Sequence, residues 1–158
     1  MQIRKIQPTD NLQMAAIVRN VLMEMGAPKV GTAYADPNLE TLSETYDNDR
    51  SVYYVLVDGE KVVGGAGVTQ LDNGPADICE FQKMYFLPQA RGLGFARKIL
   101  EQSLADAMSF GFKKCYIETM PYMEAAQNLY KKAGFYYLDK PLGNTGHTSC
   151  PVWMMKDL

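Results

Sequence analysis

Cysteine is scarce: Cys79, Cys115 and Cys150 are the only three in 158 residues, alongside one tryptophan and one histidine. An odd, scattered set makes neither a disulfide framework nor a C-x-x-C metal pair, so a reducing compartment is expected. His147 and Cys150 alone are too few ligands for zinc, and no metal is expected. Charge of one sign is lacking too. Sixteen Lys and Arg against eighteen Asp and Glu leave a net charge of −2. That balance removes the basic excess of a nucleic-acid binder and the acidic excess of a disordered tail. No apolar run approaches the roughly 18 residues of a membrane span. The opening MQIRKIQPTD lacks the apolar core of a secretory signal. The expectation is a cytoplasmic protein with neither membrane nor nucleic acid among its partners.

Apolar residues make up 47 % of the chain, enough for a core at this length. No repeat, low-complexity tract or linker divides it, so residues 1–158 read as a single α/β domain. Gln2–Gln7 reads as an opening strand. Thr9 or Asp10 can cap a helix carrying Met14, Val18, Val21, Leu22 and Met25, which Gly26 ends. The stretch 27–38, with Pro28, Gly31 and Pro37, reads as a loop, and 39–46 as a short helix. Ser51–Val57 and Lys61–Thr69 flank Asp58-Gly59, a hairpin signal, and Asp77–Leu87 completes a meander. The periodicity then changes. Gly94–Phe110 is helical, with Ala96, Ile99, Leu100, Leu104, Ala107 and Met108 on one face. Lys113–Thr119 is a strand, Glu124–Ala133 a helix, and Phe135–Leu138 and Val152–Met155 the last strands. A meander followed by βαβα and a final strand predicts an α/β mixed sheet with helices on its faces.

The most informative stretch runs from Tyr85 to Ala96: a strand, then Pro88-Gln89-Ala90-Arg91-Gly92-Leu93-Gly94, then a helix start. Glycines bring backbone close to a ligand, successive N–H groups converge, and the helix dipole favours an anion. Phosphate is the natural guest. A P-loop fails at Gly59–Gly64, because Gly65 stands where Lys is required. A dinucleotide fingerprint at Gly92-Leu93-Gly94-Phe95-Ala96-Arg97 fails at its third small position, which is Arg97. A Rossmann-like oxidoreductase is therefore the weaker alternative.

Arg91-x-x-Gly94-x-Ala96, with Gln89-x-x-Gly92-x-Gly94 in an overlapping register, resembles the pyrophosphate motif of the GNAT superfamily of N-acetyltransferases. Two flanking segments agree. Glu80-Phe81-Gln82-Lys83-Met84-Tyr85-Phe86-Leu87-Pro88 is similar to the family's strand before the turn. Leu129-Tyr130-Lys131-Lys132-Ala133-Gly134-Phe135 is similar to its late helix end. The order of elements also fits, so the resemblance spans nearly the whole chain. One position departs. Many members carry Asn seven residues before that Tyr, and here it is Met123.

The resemblance implies an acyl-CoA N-acyltransferase fold and direct transfer of acetyl from acetyl-CoA to an amine. It places the pantetheine against the backbone of Phe86 and Leu87. The pyrophosphate lies on the amides of Arg91, Gly92, Leu93, Gly94, Phe95 and Ala96, with the Arg91 side chain as an added contact. A backbone N–H near Phe86 would polarise the thioester carbonyl. Glu80 takes the position of the general base and Tyr130 that of the acid for the thiolate. A strand-end carboxylate paired with a lysine, and a core tyrosine bonded to backbone, are the plainer alternatives for these two.

Glu118 reads as an acceptor-site residue or a second base candidate, against a solvated strand end, and His147 as a border of the acceptor pocket, against a locally bonded loop histidine. Tyr34, Tyr46 and Tyr53 are further groove candidates, and Cys115 reads as a buried small hydrophobe. The expected partners are acetyl-CoA, a small-molecule amine and at most a second copy as a homodimer. A non-catalytic acyl-CoA-binding or regulatory module is the other alternative.

Overall fold

The computed structural model describes residues 1–158. The β-strands are β1 (Gln2–Lys5), β2 (Val52–Asp58), β3 (Lys61–Gln70), β4 (Ile78–Phe86), β5 (Lys114–Thr119), β6 (Tyr136–Leu138) and β7 (Val152–Asp157). The helices are α1 (Asn11–Glu24), α2 (Leu42–Thr45), α3 (Phe95–Ser109) and α4 (Glu124–Lys132). All seven strands form one sheet in the order β1-β2-β3-β4-β5-β7-β6. Only the β4–β5 contact is parallel. A parallel neighbour needs a crossover, and α3 supplies it. No helix is long and apolar enough to cross a membrane.

Alternation along the strands divides the core into two faces. Val52, Tyr54, Leu56, Cys79, Phe81, Cys115 and Ile117 pack with α3 and Tyr130 of α4. Tyr53, Val55, Val57, Val62 and Met120 pack with α1, Leu39, Leu42 and Tyr46. Residues 80 and 118, one step out of phase with Phe81 and Ile117, therefore belong to the α1–α2 face.

Several local expectations are corrected. Asp10 does not cap α1 with its side chain. It turns back to accept the Gln7 N–H at 2.8 Å and two bonds from Arg4, at 2.6 and 2.9 Å. Burial raises the Asp10 carboxyl pKa, but those bonds outweigh it and hold it below its usual range. The second helix shrinks to Leu42–Thr45, because Leu39 is buried ahead of it in a turn. Met108 is 58 % exposed, since Phe112 closes that end of the α3 face instead, and Met25 lies beyond the end of α1.

Strand β4 positions the chemistry. Its pairing with β5 covers only Ile78, Cys79 and Glu80, opposite Lys114, Cys115 and Tyr116. Beyond Glu80 the two strands diverge and leave a wedge in the sheet. On the other side the β3–β4 register slips between Gly65 and Gly67. The extra residue is accommodated at Lys83, which takes φ +54, the left-handed conformation of a bulge. The Tyr53 hydroxyl locks it by donating to the Lys83 carbonyl at 2.8 Å.

Candidate active site

The glycine turn makes a bare amide surface. Gly92 has φ +74 and Gly94 φ +83, and a Cβ at either would meet open space, so the requirement is conformational. The first backbone bond into α3 is Lys98 N–H to the Gly94 carbonyl. The amides of Gly92, Leu93, Gly94, Phe95, Ala96 and Arg97 thus have no acceptor within the chain, as at any uncapped helix start. Arg91 does not join them. Its N–H donates to the Pro88 carbonyl at 3.2 Å. Its guanidinium donates to the Phe86 carbonyl at 2.8 Å and grips Glu24 of α1 at 2.8 and 2.9 Å. With these bonds the residue expected to touch phosphate braces the turn against β4 and α1.

Phe86 and Leu87 also separate. Leu87 is spent, with its N–H on Val63 and its carbonyl accepting from Ala90, both at 2.9 Å. In an antiparallel ladder alternate residues face alternate neighbours. Phe86, opposite Gly64 and adjacent to Leu87, therefore points its N–H toward β5, into the wedge. Its ring lies over Gly64, where a Cβ would collide with it. Gly64→Ala is expected to displace Phe86 and weaken CoA binding at least about tenfold, roughly 1.4 kcal/mol, by titration calorimetry. Unchanged affinity would remove the Phe86 backbone from the site.

On the α1–α2 face, Glu80, Glu118 and His147 come together. One ligand atom from each lies within 4.8 Å of the others. Glu80 is 4 % exposed and forms no hydrogen bond or ion pair. Burial, then the Glu118 charge, pushes its carboxyl pKa up to about 8, with His147 and Lys83 opposing. The plainer alternative, a carboxylate paired with a lysine, is not what is seen: the nearby Lys83 binds Asp36 at 2.8 Å. Glu118 is no solvated strand end. Its side chain is 5 % exposed and accepts from Tyr116 Oη at 2.8 Å and Thr145 Oγ1 at 2.6 Å.

His147 is bonded far from its own loop. Its Nε2 meets Asp36 Oδ1 at 2.9 Å, and its Nδ1 lies 3.9 Å from Glu118 Oε2. An ionised Asp36 only accepts, so Nε2 carries the proton and Nδ1 is the open position of the neutral ring. Burial lowers the His147 pKa, but the bond to Asp36 and its charge outweigh this and leave it raised. Burial likewise opposes the Asp36 charge, yet His147 and Lys83 hold its pKa below the usual value.

Tyr130 stands on the other face. Its ring packs against Phe81 and Phe135, at 6.3 and 5.9 Å between centroids. Its hydroxyl meets only Met84 Sδ, at 3.9 Å, and no backbone carbonyl. Burial raises its pKa well above the usual value. The wedge begins between these two faces, next to both Glu80 and Phe81.

Sequence reasoning missed Asp36 and Lys83. Asp36 lies in the loop between α1 and α2, and Lys83 at the bulge. Of the groove tyrosines, Tyr53 supports the bulge, Tyr34 lies near Arg19 and Lys29, and Tyr46 is buried with an unpartnered hydroxyl. Cys115 is fully buried, as expected.

The geometry also tests which cation suits the cluster. Zinc bonds of about 2.0–2.2 Å give tetrahedral edges of roughly 3.4 Å. An ammonium donating bonds of about 2.9 Å needs acceptors roughly 4.7 Å apart. The one measured pair, at 3.9 Å, falls between the two values, and the 4.8 Å within which all three atoms lie admits either, so the spacing alone selects neither cation.

Known proteins agree with this architecture. Residues 20–135 match the Acetyltransferase (GNAT) family. YjgM of Escherichia coli strain K12, an uncharacterised N-acetyltransferase, is 40 % identical over 157 residues, covering 99 % of this chain and 94 % of YjgM. A GNAT acetyltransferase from Staphylococcus aureus Mu50 superposes with TM-score 0.86 at 18 % identity, covering 99 % of this chain and 98 % of its own. YncA of Salmonella typhimurium, solved with its cofactor acetyl-CoA, gives TM-score 0.79 at 18 % identity, with 100 % and 94 % covered. An aminoglycoside 6'-N-acetyltransferase solved with coenzyme A gives 0.70 at 16 %, with 99 % and 97 % covered. The structural likenesses establish the fold, and the match over residues 20–135 with the YjgM relationship establishes descent: the chain belongs to the GNAT family and is an acyltransferase that uses acetyl-CoA.

Proposed function

We propose that this chain transfers the acetyl group of acetyl-CoA to the primary amine of a small molecule by direct attack within a ternary complex. The observation that carries the reading is the wedge beyond Glu80, with the free amides of Gly92 to Arg97 beyond β4 and the unpartnered Glu80 beside its origin. Bound acetyl-CoA supplies an activated acyl group and a thiolate leaving group. The amides of Gly92, Leu93, Gly94, Phe95, Ala96 and Arg97 hold its pyrophosphate. The Phe86 N–H faces the thioester oxygen, where negative charge develops.

Glu80, Glu118 and His147 receive the acceptor as an ammonium ion, and Glu80 removes its proton to expose the nitrogen lone pair. Tyr130, kept protonated by its buried position, donates to the departing thiolate. Because Met123 stands where many relatives have Asn, no side-chain contact is assigned there. The three residues named for the acceptor all lie on one face of the sheet, and the thioester reaches them through the wedge.

A screen of primary amines with acetyl-CoA, following free thiol, tests the proposal. Release of thiol with at least one amine, and of an N-acetyl product by mass spectrometry, is expected. Tight CoA binding with no thiol release from any amine would leave the non-catalytic module as the better description.

A further inference from the structure

The proposed reaction makes a proton that has to leave. Of the three hydrogens on a primary ammonium, one stays on the amide nitrogen and one ends on the CoA thiol. The third must reach solvent. The N–C bond forms, the C–S bond breaks, and the balance is one proton per turnover. Glu80 takes that proton, yet Glu80 is 4 % exposed and bonded to nothing. A nearly buried acid with no hydrogen bond to pass its proton on releases it slowly.

The neighbouring groups supply an outlet. His147 is within 4.8 Å of Glu80 through the cluster, and its side chain is 10 % exposed. It lines a cavity of about 270 Å³ together with Glu118, Leu142, Thr145, Cys150 and Trp153. Asp36 fixes the ring from behind at Nε2, and Lys83 fixes Asp36 in turn. The open Nδ1 is left on the side of the two glutamates. We propose that His147, positioned by Asp36, is the proton-exit relay of the acetyl transfer: it receives at Nδ1 the proton that Glu80 takes from the ammonium and passes it to solvent in that cavity.

The charged groups facing His147 suit the task. Asp36 lies on the loop after α1, Glu80 and Lys83 on β4, and Glu118 on β5. An imidazolium between Asp36 and Glu118 is stabilised by both carboxylates, while Lys83 opposes it. The raised His147 pKa agrees, with Asp36 outweighing the burial that would lower it. An imidazole both accepts and releases protons readily, and Asp36 biases this one toward accepting. Beside its place around the ammonium, His147 takes the proton only after Glu80 has, and in that step it is a relay residue. The inference rests on Glu80 being the base.

The test is chemical rescue. In dilute buffer with both substrates saturating, His147→Ala is expected to lose at least about tenfold in kcat. Imidazole, which fits the space left beside the cavity, should restore turnover saturably and leave the wild type unchanged. His147→Gln keeps a donor for Asp36 and so the loop contact, yet carries no proton; it should show the same loss, and because its side chain fills the space it should not be rescued. CoA affinity, measured by calorimetry, reports whether each variant is folded; if His147→Ala fails there, His147→Gln decides. Retained turnover in either variant, or a loss that imidazole does not repair in a His147→Ala protein that binds CoA normally, overturns the relay. Glu80→Gln run alongside separates the two ideas. Full activity of Glu80→Gln would remove the base itself, whereas an inactive Glu80→Gln with an unrescued His147→Ala removes only the relay.

Discussion

Glu80→Gln is expected to lower kcat by about 10²- to 10⁴-fold, the contribution of a positioned general base. The amide keeps the shape and loses the lone-pair basicity. The wild-type kcat/KM profile should rise with pH and bend near 8, where burial and Glu118 have moved the Glu80 carboxyl. Below that value Glu80 carries a proton and cannot take another. The variant should lack this limb, and a limb that persists unaltered would assign the titration to another group.

The same substitution should stabilise the fold at alkaline pH. In the unfolded chain Glu80 ionises near its ordinary 4.5, in the folded chain near 8. Wild-type stability therefore falls as pH rises between these values, by an amount on the order of a few kcal/mol. Gln does not ionise. The variant should melt above the wild type at pH 9 and converge with it toward pH 5. Activity lost while stability rises is the signature of a buried group kept for chemistry.

Tyr130→Phe is the second large effect. The ring packs between Phe81 and Phe135, and the hydroxyl meets only Met84 Sδ. Phe fills the same space and leaves no buried donor or acceptor unsatisfied, so stability should change by less than about 1 kcal/mol. Removing the acid should lower kcat by about 10²-fold, with KM for acetyl-CoA little altered. Thiol release followed in the steady state measures both parameters. Turnover equal to wild type would make Tyr130 a packing residue and leave the thiolate to be protonated by solvent.

Much of the frame was legible because local signals and tertiary packing agree. Val52–Val57 is an apolar run closed by Asp58-Gly59, and the observed hairpin uses that turn. The spacing of Ile99, Leu100, Leu104 and Ala107 makes the buried face of α3. The bulge was also legible and went unread. Cys79 and Phe81 share a face with Met84 and Phe86, so the two-residue period slips by one between 81 and 84. A slip inside a strand marks an extra residue. Gly64, Gly65 and Gly67 on the neighbouring strand gave a second hint, since glycine in a strand signals close approach.

The acceptor side was only half legible. Glu80, Glu118 and His147 could be named singly, but nothing local says that they meet. Asp36 sits in a Pro- and Gly-bearing loop and joins His147 across a separation of 111 residues. That contact exists because the loop after α1 docks on the loop before β7, where Ser149 N–H donates to the Gly31 carbonyl at 2.9 Å. Arg91 makes a contact that its motif does not announce. Its place in the motif suggested phosphate, and its reach to Glu24 on α1 depends on a helix 67 residues earlier.

Backbone amide resonances read the phosphate cradle most directly. In a ¹H–¹⁵N titration with CoA, the amides of Gly92, Leu93, Gly94, Phe95, Ala96 and Arg97 should move downfield as free donors gain anionic acceptors. Those of Arg91 and Leu87, already bonded within the chain, should move far less. Saturable CoA binding that leaves the resonances from Gly92 to Arg97 in place would contradict the cradle and, with it, the position assigned to the thioester between Glu80 and Tyr130.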